Sequence, residues 1–135
     1  MAYWLVKEEP HKYNFSKLLA DGETVWDGVR NYAARNHLRA MKLGDELIYY
    51  HTGKERSAVG TAVVAKVGYP DPTATEGDWT AVDVTPGIEF STPVSLAEIK
   101  AEPKMQDCML VTHGRLSVIP LTAAEFRWIC KQGKA

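Results

Sequence analysis

A chain of 135 residues with 45% apolar and 24% charged side chains has ordinary globular composition and enough length for one buried core. Its formal net charge of −1 excludes a whole-molecule field that would draw it to nucleic acid or membrane. Cys108 and Cys130 lack CxxC spacing, which argues against a disulfide scaffold and a thiolate metal site, so they read as reduced, partly buried thiols.

The first apolar run, residues 3–6, stops at Lys7 and is too short for a signal peptide or a membrane span. No later stretch approaches that length, so a soluble cytoplasmic protein is expected. With no repeat, low-complexity tract or linker, residues 1–135 are expected to form a single domain.

"YWLVK" is rich in aromatic and β-branched residues and halts before Pro10, the pattern of a first strand. Ser16 is placed to cap a short helix "KLLA" that ends at Asp21-Gly22. "ETVW" reads as a brief extended piece closed by Asp27-Gly28. Asn31 then opens the best helix candidate, "YAARNHLRAMK", with Gly44 just past its end. Ala34, Leu38 and Met41 make its buried stripe, while Arg35, Arg39 and Lys42 recur at the same spacing on another face.

"DELIYYHT" and "SAVGTAVVAKVGYP" predict two strands joined by a polar turn, and "WTAVDVTPGIEF" predicts another. Ser95 with Glu98 and Thr122 with Glu125 have capping-box spacing and open two further helices. "LSVIPL" lies between them, and Pro120 confines that strand to a sheet edge or a strand end. The expected class is α+β: an antiparallel, barrel-like sheet carrying short helices.

Charge is unevenly spread. Residues 30–42 hold four basic side chains and no acid, whereas residues 71–102 hold seven acids and only Lys100. There is no Walker loop, GxGxxG, GxSxG or HExxH, and the four histidines are scattered. What the chain has in quantity is aromatic surface beside hydrogen-bonding groups, at Trp4, Trp26, Tyr32, Tyr49, Tyr50 and Trp79. A planar base needs π-faces, edge donors or acceptors, and cations for its phosphate. Trp26, Asn31 and Tyr32 supply the first two within one stretch; Arg35, Arg39 and Lys42 supply the third. The competing structural reading makes Trp4 a core residue and the basic helix face solvated charge. Tyr49 and Tyr50 alternate, so only one can face a given pocket.

"YWLVKEEP", "WDGVRNYAARNHLRAMKLGD", "YYHT", "WTAVDV" and "RLSVIPLT" resemble, in that order, the signature blocks of the EVE domain family. The likeness covers essentially the whole chain and is similar to the family's small, stand-alone bacterial members. It implies a PUA-like fold, a distorted antiparallel β-barrel with short flanking helices. It also implies recognition of modified bases, notably 5-methylcytosine and 5-hydroxymethylcytosine in DNA, with some bacterial members acting on RNA. YTH domains, related in fold, read N6-methyladenosine through an aromatic cage.

The resemblance implies a non-catalytic module whose partner is DNA or RNA bearing a modified base, without cofactor or metal. Its base pocket is expected to draw on Lys7, Glu9, Trp26, Asn31, Tyr32, Tyr50, His51, Trp79 and Asp83. The backbone is expected to meet Arg30, Arg35, Arg39 and Lys42, with Arg30 alternatively an ion-pair partner of Asp27 or Glu9. Three positions depart from the family pattern: Glu8 and Thr52 where Ser is usual, and Ala33 where Gln is frequent. Two other readings remain. An ASCH-like hydrolase of modified nucleosides would use Lys7 and Glu9, two apart on one strand face, with a Thr or Tyr. A protein–protein adaptor would use the exposed aromatics.

Overall fold

The computed structural model describes residues 1–134. Strand β1 (Tyr3–Glu8) leads into helices α1 (Pro10–Tyr13) and α2 (Phe15–Asp21), strand β2 (Thr24–Trp26) and helix α3 (Tyr32–Ala40). Strands β3 (Glu46–His51), β4 (Ser57–Pro70) and β5 (Thr80–Ser95) follow. The chain then forms α4 (Leu96–Ala101), a 3-10 turn (Pro103–Met105), α5 (Met109–Thr112), β6 (Val118–Leu121) and α6 (Ala123–Gln132).

Local signals account for most of these ends. Asn31 caps α3, and both expected capping boxes are formed, Ser95 with Glu98 and Thr122 with Glu125. The cap of α2 is Asn14 rather than Ser16: Asn14 accepts from the Lys17 amide, and the helix begins two residues earlier than expected. It ends at Gly22, which turns left-handed with φ of 76°.

All six strands lie in one sheet, in the order β2-β5-β4-β3-β1-β6. The expected antiparallel barrel is corrected in two respects. The hydrogen-bonded sheet does not close, leaving β2 and β6 as edges, and β1 runs parallel to β3. The second is permitted by connectivity: a parallel pair needs a long crossover between its strands, and α1, α2, β2 and α3 supply it. Pro120 sits opposite Trp4 on edge strand β6, where its missing N–H costs no ladder bond to a further strand.

The long β4–β5 pair shifts register at four points, which bends the sheet around the core. At Gly60 a Cβ would lie 2.6 Å from the Phe15 ring, so close packing of α2 against the bend requires glycine there. The core gathers Leu5, Leu18, Leu38, Leu47, Ile48, Ile99, Ile119 and Ile129, all fully buried. Each such side chain contributes about 1.5–3 kcal/mol by leaving water. Ala34, Leu38 and Met41 form the buried stripe of α3 and its C-cap, as their spacing predicts.

A buried carboxylate ties the start of β1 to the end of the α3 segment. Asp45 accepts from the Trp4 indole at 3.0 Å and from the Lys42 and Ala2 amides. Burial works against that charge, but the three donors outweigh it and hold the carboxyl below its usual range. Trp4 is therefore a core residue, and both cysteines are free, Cys108 buried and Cys130 half-buried.

Candidate nucleic-acid interface

Parallel pairing of β1 with β3 sets Lys7 against Tyr50 and Glu8 against His51. Because side chains alternate along a strand, Lys7 and Tyr50 share one face of the sheet while Glu8, Tyr49 and His51 share the other. This alternation divides the candidate residues between two faces.

On the Glu8 face, Trp26 ends β2 with its ring edge-on to Tyr49, centroids 5.4 Å apart. Tyr49 in turn meets Phe15 and His51 edge-on. Trp26 is 6% exposed, and what remains open borders a cavity of about 220 Å³. Glu8, Tyr13, Thr24, Val25 and Asp27 complete its lining. No cation is among them. Glu8 accepts from the Glu9 amide through one carboxylate oxygen, leaving the other without a protein partner. Burial, with the neighbouring Asp71 charge, raises the Asp27 carboxyl above its usual range.

The turn after Trp26 joins this cavity to a second aromatic surface. Asp71, which sequence reasoning missed, organises it. Its buried carboxylate accepts from the Gly28 amide, the Arg30 guanidinium and both the amide and hydroxyl of Thr73. Burial opposes the charge, but the Thr73 and Arg30 hydrogen bonds hold the carboxyl down to about 2. Gly28 turns left-handed here, φ 76°, which aims its N–H at that carboxylate. The signal available in the sequence was "DPT", an Asp two residues before a Thr, the pattern of an Asx turn.

Arg30 therefore pairs with Asp71, at 2.9 Å, and not with Asp27 or Glu9. Its side chain remains 39% exposed and lies over the Trp79 ring, 5.5 Å from the centroid. Trp79 is stacked on Tyr32 with centroids 5.1 Å apart and planes 19° from parallel. Arg35 lies over both rings, 5.0 Å from Tyr32 and 5.9 Å from Trp79. Arg39 pairs with Asp78 at 2.6 Å and donates to Thr80. Arg30, Tyr32, Arg35, Arg39 and Trp79 thus form one cationic aromatic surface; Lys42 is exposed beyond the end of α3.

The remaining expected pocket residues are elsewhere. Asn31 spends its side-chain oxygen on the Ala34 amide, 2.9 Å, and borders an open groove with His37, Met109 and Leu116. His51 accepts the Phe15 N–H on Nε2, so Nδ1 carries the proton toward Glu55 at 2.9 Å, and both ring nitrogens are committed. Asp83 accepts from the Tyr69 hydroxyl, whose pKa burial and that carboxylate push up to about 12. Glu9 lies past the end of β1 and pairs with His11 and Lys12, while Lys7 donates to the Gly114 carbonyl on the other face. The shared strand face required for Lys7–Glu9 chemistry is absent. Tyr50 joins Lys7, their contact 5.9 Å from amine to ring centre.

The EVE domain family model matches residues 2–132. The chain belongs to the EVE domain family. Human thymocyte nuclear protein 1 is 35% identical to it over 162 residues, covering 95% of this chain and 72% of that protein. A crystal structure from Agrobacterium tumefaciens superposes on this EVE domain with a TM-score of 0.95 at 41% identity, covering 98% and 93% of the two chains. The human THYN1 protein in complex with 5-methylcytosine containing DNA gives 0.91 at 33% identity, covering 100% and 99%. At 16% identity and a TM-score of 0.64, the YTH domain of Zygosaccharomyces rouxii MRB1, covering 99% of this chain and 87% of its own, shares the fold. The open, bent sheet with short flanking helices has the PUA-like arrangement that the family resemblance implies.

Within this EVE domain the three positions expected to depart from the family pattern border three different concavities. Glu8 borders the Trp26 cavity, Thr52 the Lys7–Tyr50 cavity, and Ala33 the groove beside Asn31. No helix among the described residues is long and apolar enough to cross a membrane, and no three His, Cys, Asp or Glu side chains among them gather as a metal site.

Proposed function

We propose that this EVE domain reads a modified base in nucleic acid without doing chemistry on it. The base enters the cavity beside Trp26, and the Tyr32–Trp79 surface with Arg30, Arg35 and Arg39 holds the flanking strand. Methylated cytosine in DNA is the first ligand to test, because the human THYN1 protein was solved with 5-methylcytosine containing DNA.

The observation that carries this reading is the lining of the cavity. About 220 Å³ is below the roughly 300 Å³ at which pockets for drug-sized ligands begin, and suits one heterocycle. Its walls are an indole, a tyrosine, a valine and a threonine, with Glu8 and Asp27 carboxylates at its polar side. A carboxylate accepts from the exocyclic amine of cytosine and repels the carbonyl that thymine presents there. Taking a base out of a duplex costs a few kcal/mol. Stacking recovers about 1–3 kcal/mol per base, and arginine contacts to phosphate add affinity without reading sequence.

Fluorescence anisotropy with 5-methylcytosine, cytosine and thymine oligonucleotides tests the proposal. Methylated cytosine should bind tightest, and Trp26→Ala should weaken that binding about tenfold, the equivalent of one lost stack. Equal affinity for all three oligonucleotides, unchanged in the variant, refutes it.

A further inference from the structure

On the opposite face of the sheet from Trp26 there is a second cavity of about 220 Å³, between β1, the β3–β4 turn, α4 and α5. Lys7, Arg56 and Lys100 border it together with Tyr50, Thr52 and Gly53, and Leu96, Leu110, Val111 and Gly114 close its walls. Its lining contains no carboxylate. None of the three cations forms an ion pair among the described residues. Glu55 is nearby, but it borders the adjoining cleft and accepts from His51.

Two polar groups in this cavity have hydrogen-bonding capacity that the protein does not use. Tyr50 is 3% exposed as a residue and borders the cavity; its hydroxyl is bonded by no described residue and is not itself buried, so it is open to the cavity. Lys7 is half-buried, and its ammonium has one protein acceptor, the Gly114 carbonyl at 2.8 Å, for three N–H donors. Burial lowers its pKa from the ordinary lysine value, a cost that a bound anion removes. A neutral or cationic ligand would leave that charge uncompensated.

We infer that this cavity binds a phosphate group, with Lys7, Arg56 and Lys100 supplying the charge and the Tyr50 hydroxyl donating the hydrogen bond it lacks within the protein. Phosphate is the oxyanion that matches the set: compact, up to doubly charged, and rich in acceptor oxygens for several converging donors. The phosphate is carried either by a free small molecule or by the end of a nucleic-acid strand. The site is independent of base reading at Trp26, since Lys7 and Glu8 project from opposite faces of β1.

Calorimetric titration of the full chain with inorganic phosphate, a nucleoside monophosphate and the matching nucleoside tests this. The phosphate-bearing probes should bind and the nucleoside should not. A 5′-phosphorylated oligonucleotide binding about tenfold tighter than its 5′-hydroxyl counterpart identifies the strand end as the source; equal binding of the two, with retained affinity for the monophosphate, identifies the small molecule. Tyr50→Phe and Lys100→Ala should each weaken phosphate binding about tenfold with an unchanged melting temperature. Trp26→Ala should leave it unchanged, so failure at one site is distinguishable from failure at the other. No phosphate binding by the folded protein, or binding indifferent to both Tyr50→Phe and Lys100→Ala, overturns the inference.

Discussion

Asp71 concentrates more interactions than any candidate ligand-binding residue around it. Gly28, Arg30 and Thr73 together direct four donors at one buried carboxylate, so the turn following Trp26 is pinned to the loop preceding Trp79. Its carboxyl, held down to about 2, also fixes the pH dependence. A folded-state value below the unfolded value of about 3.9 means that stabilisation is complete above pH 4 and is lost as pH falls through the folded value. The expected contribution is about 2 kcal/mol at neutral pH. Asp71→Asn should therefore lower the melting temperature at pH 7, and the gap to the native chain should shrink toward pH 2. A gap of constant size across that range would show that the charge is not what stabilises the turn.

Helix α3 presents Tyr32, Arg35 and Arg39 on successive turns, and its nine residues are too few to hold a helix without help. Help comes from the buried stripe and from Asn31. The sequence offered Asn31 two roles, helix opener and reader of a base edge, and the structure shows its side-chain oxygen occupied by the first. Asn31→Ala should cost about 1 kcal/mol of stability, and Asn31→Ser should restore it, because serine caps equally well. Oligonucleotide affinity measured on the same proteins separates the roles. If Asn31→Ser regains stability but not binding, the amide contacts the ligand after all. Caps of this kind were legible in the sequence because donor and acceptor are three residues apart. The direction of β1 was not: residue pattern along a strand is the same in a parallel and an antiparallel pair, and only the folded sheet, in which the crossover through α1, α2, β2 and α3 permits a parallel pair, settles it.

At the scale of the molecule, that crossover brings Glu8 to Trp26, and the β4–β5 hairpin brings Trp79 onto Tyr32. Neither meeting has a local signature, so aromatic richness suggested the interface while its division between two sheet faces stayed hidden. Charge behaves similarly. The chain's net charge of −1 conceals two arginines over two stacked rings and a third, Arg39, beside them. Two of them already have carboxylate partners: Arg30 is bound to Asp71 and Arg39 to Asp78. Arg35 has none among the described residues; it bonds only Asn36 and the Asp78 carbonyl, so it is the cation freest to neutralise a phosphate. Each phosphate neutralised on duplex DNA contributes about 0.9 to the slope of log affinity against log salt. Arg35→Ala should reduce that slope by about one and weaken methylated and unmethylated DNA equally. Arg39→Ala should change it less, since Asp78 already competes for that guanidinium. Trp26→Ala should do the reverse of Arg35→Ala, erasing the preference for the modified base while leaving the slope intact. Titrations of the three variants at several salt concentrations measure both quantities, and a Trp26→Ala slope that falls with its preference would place phosphate, not a base, beside the indole.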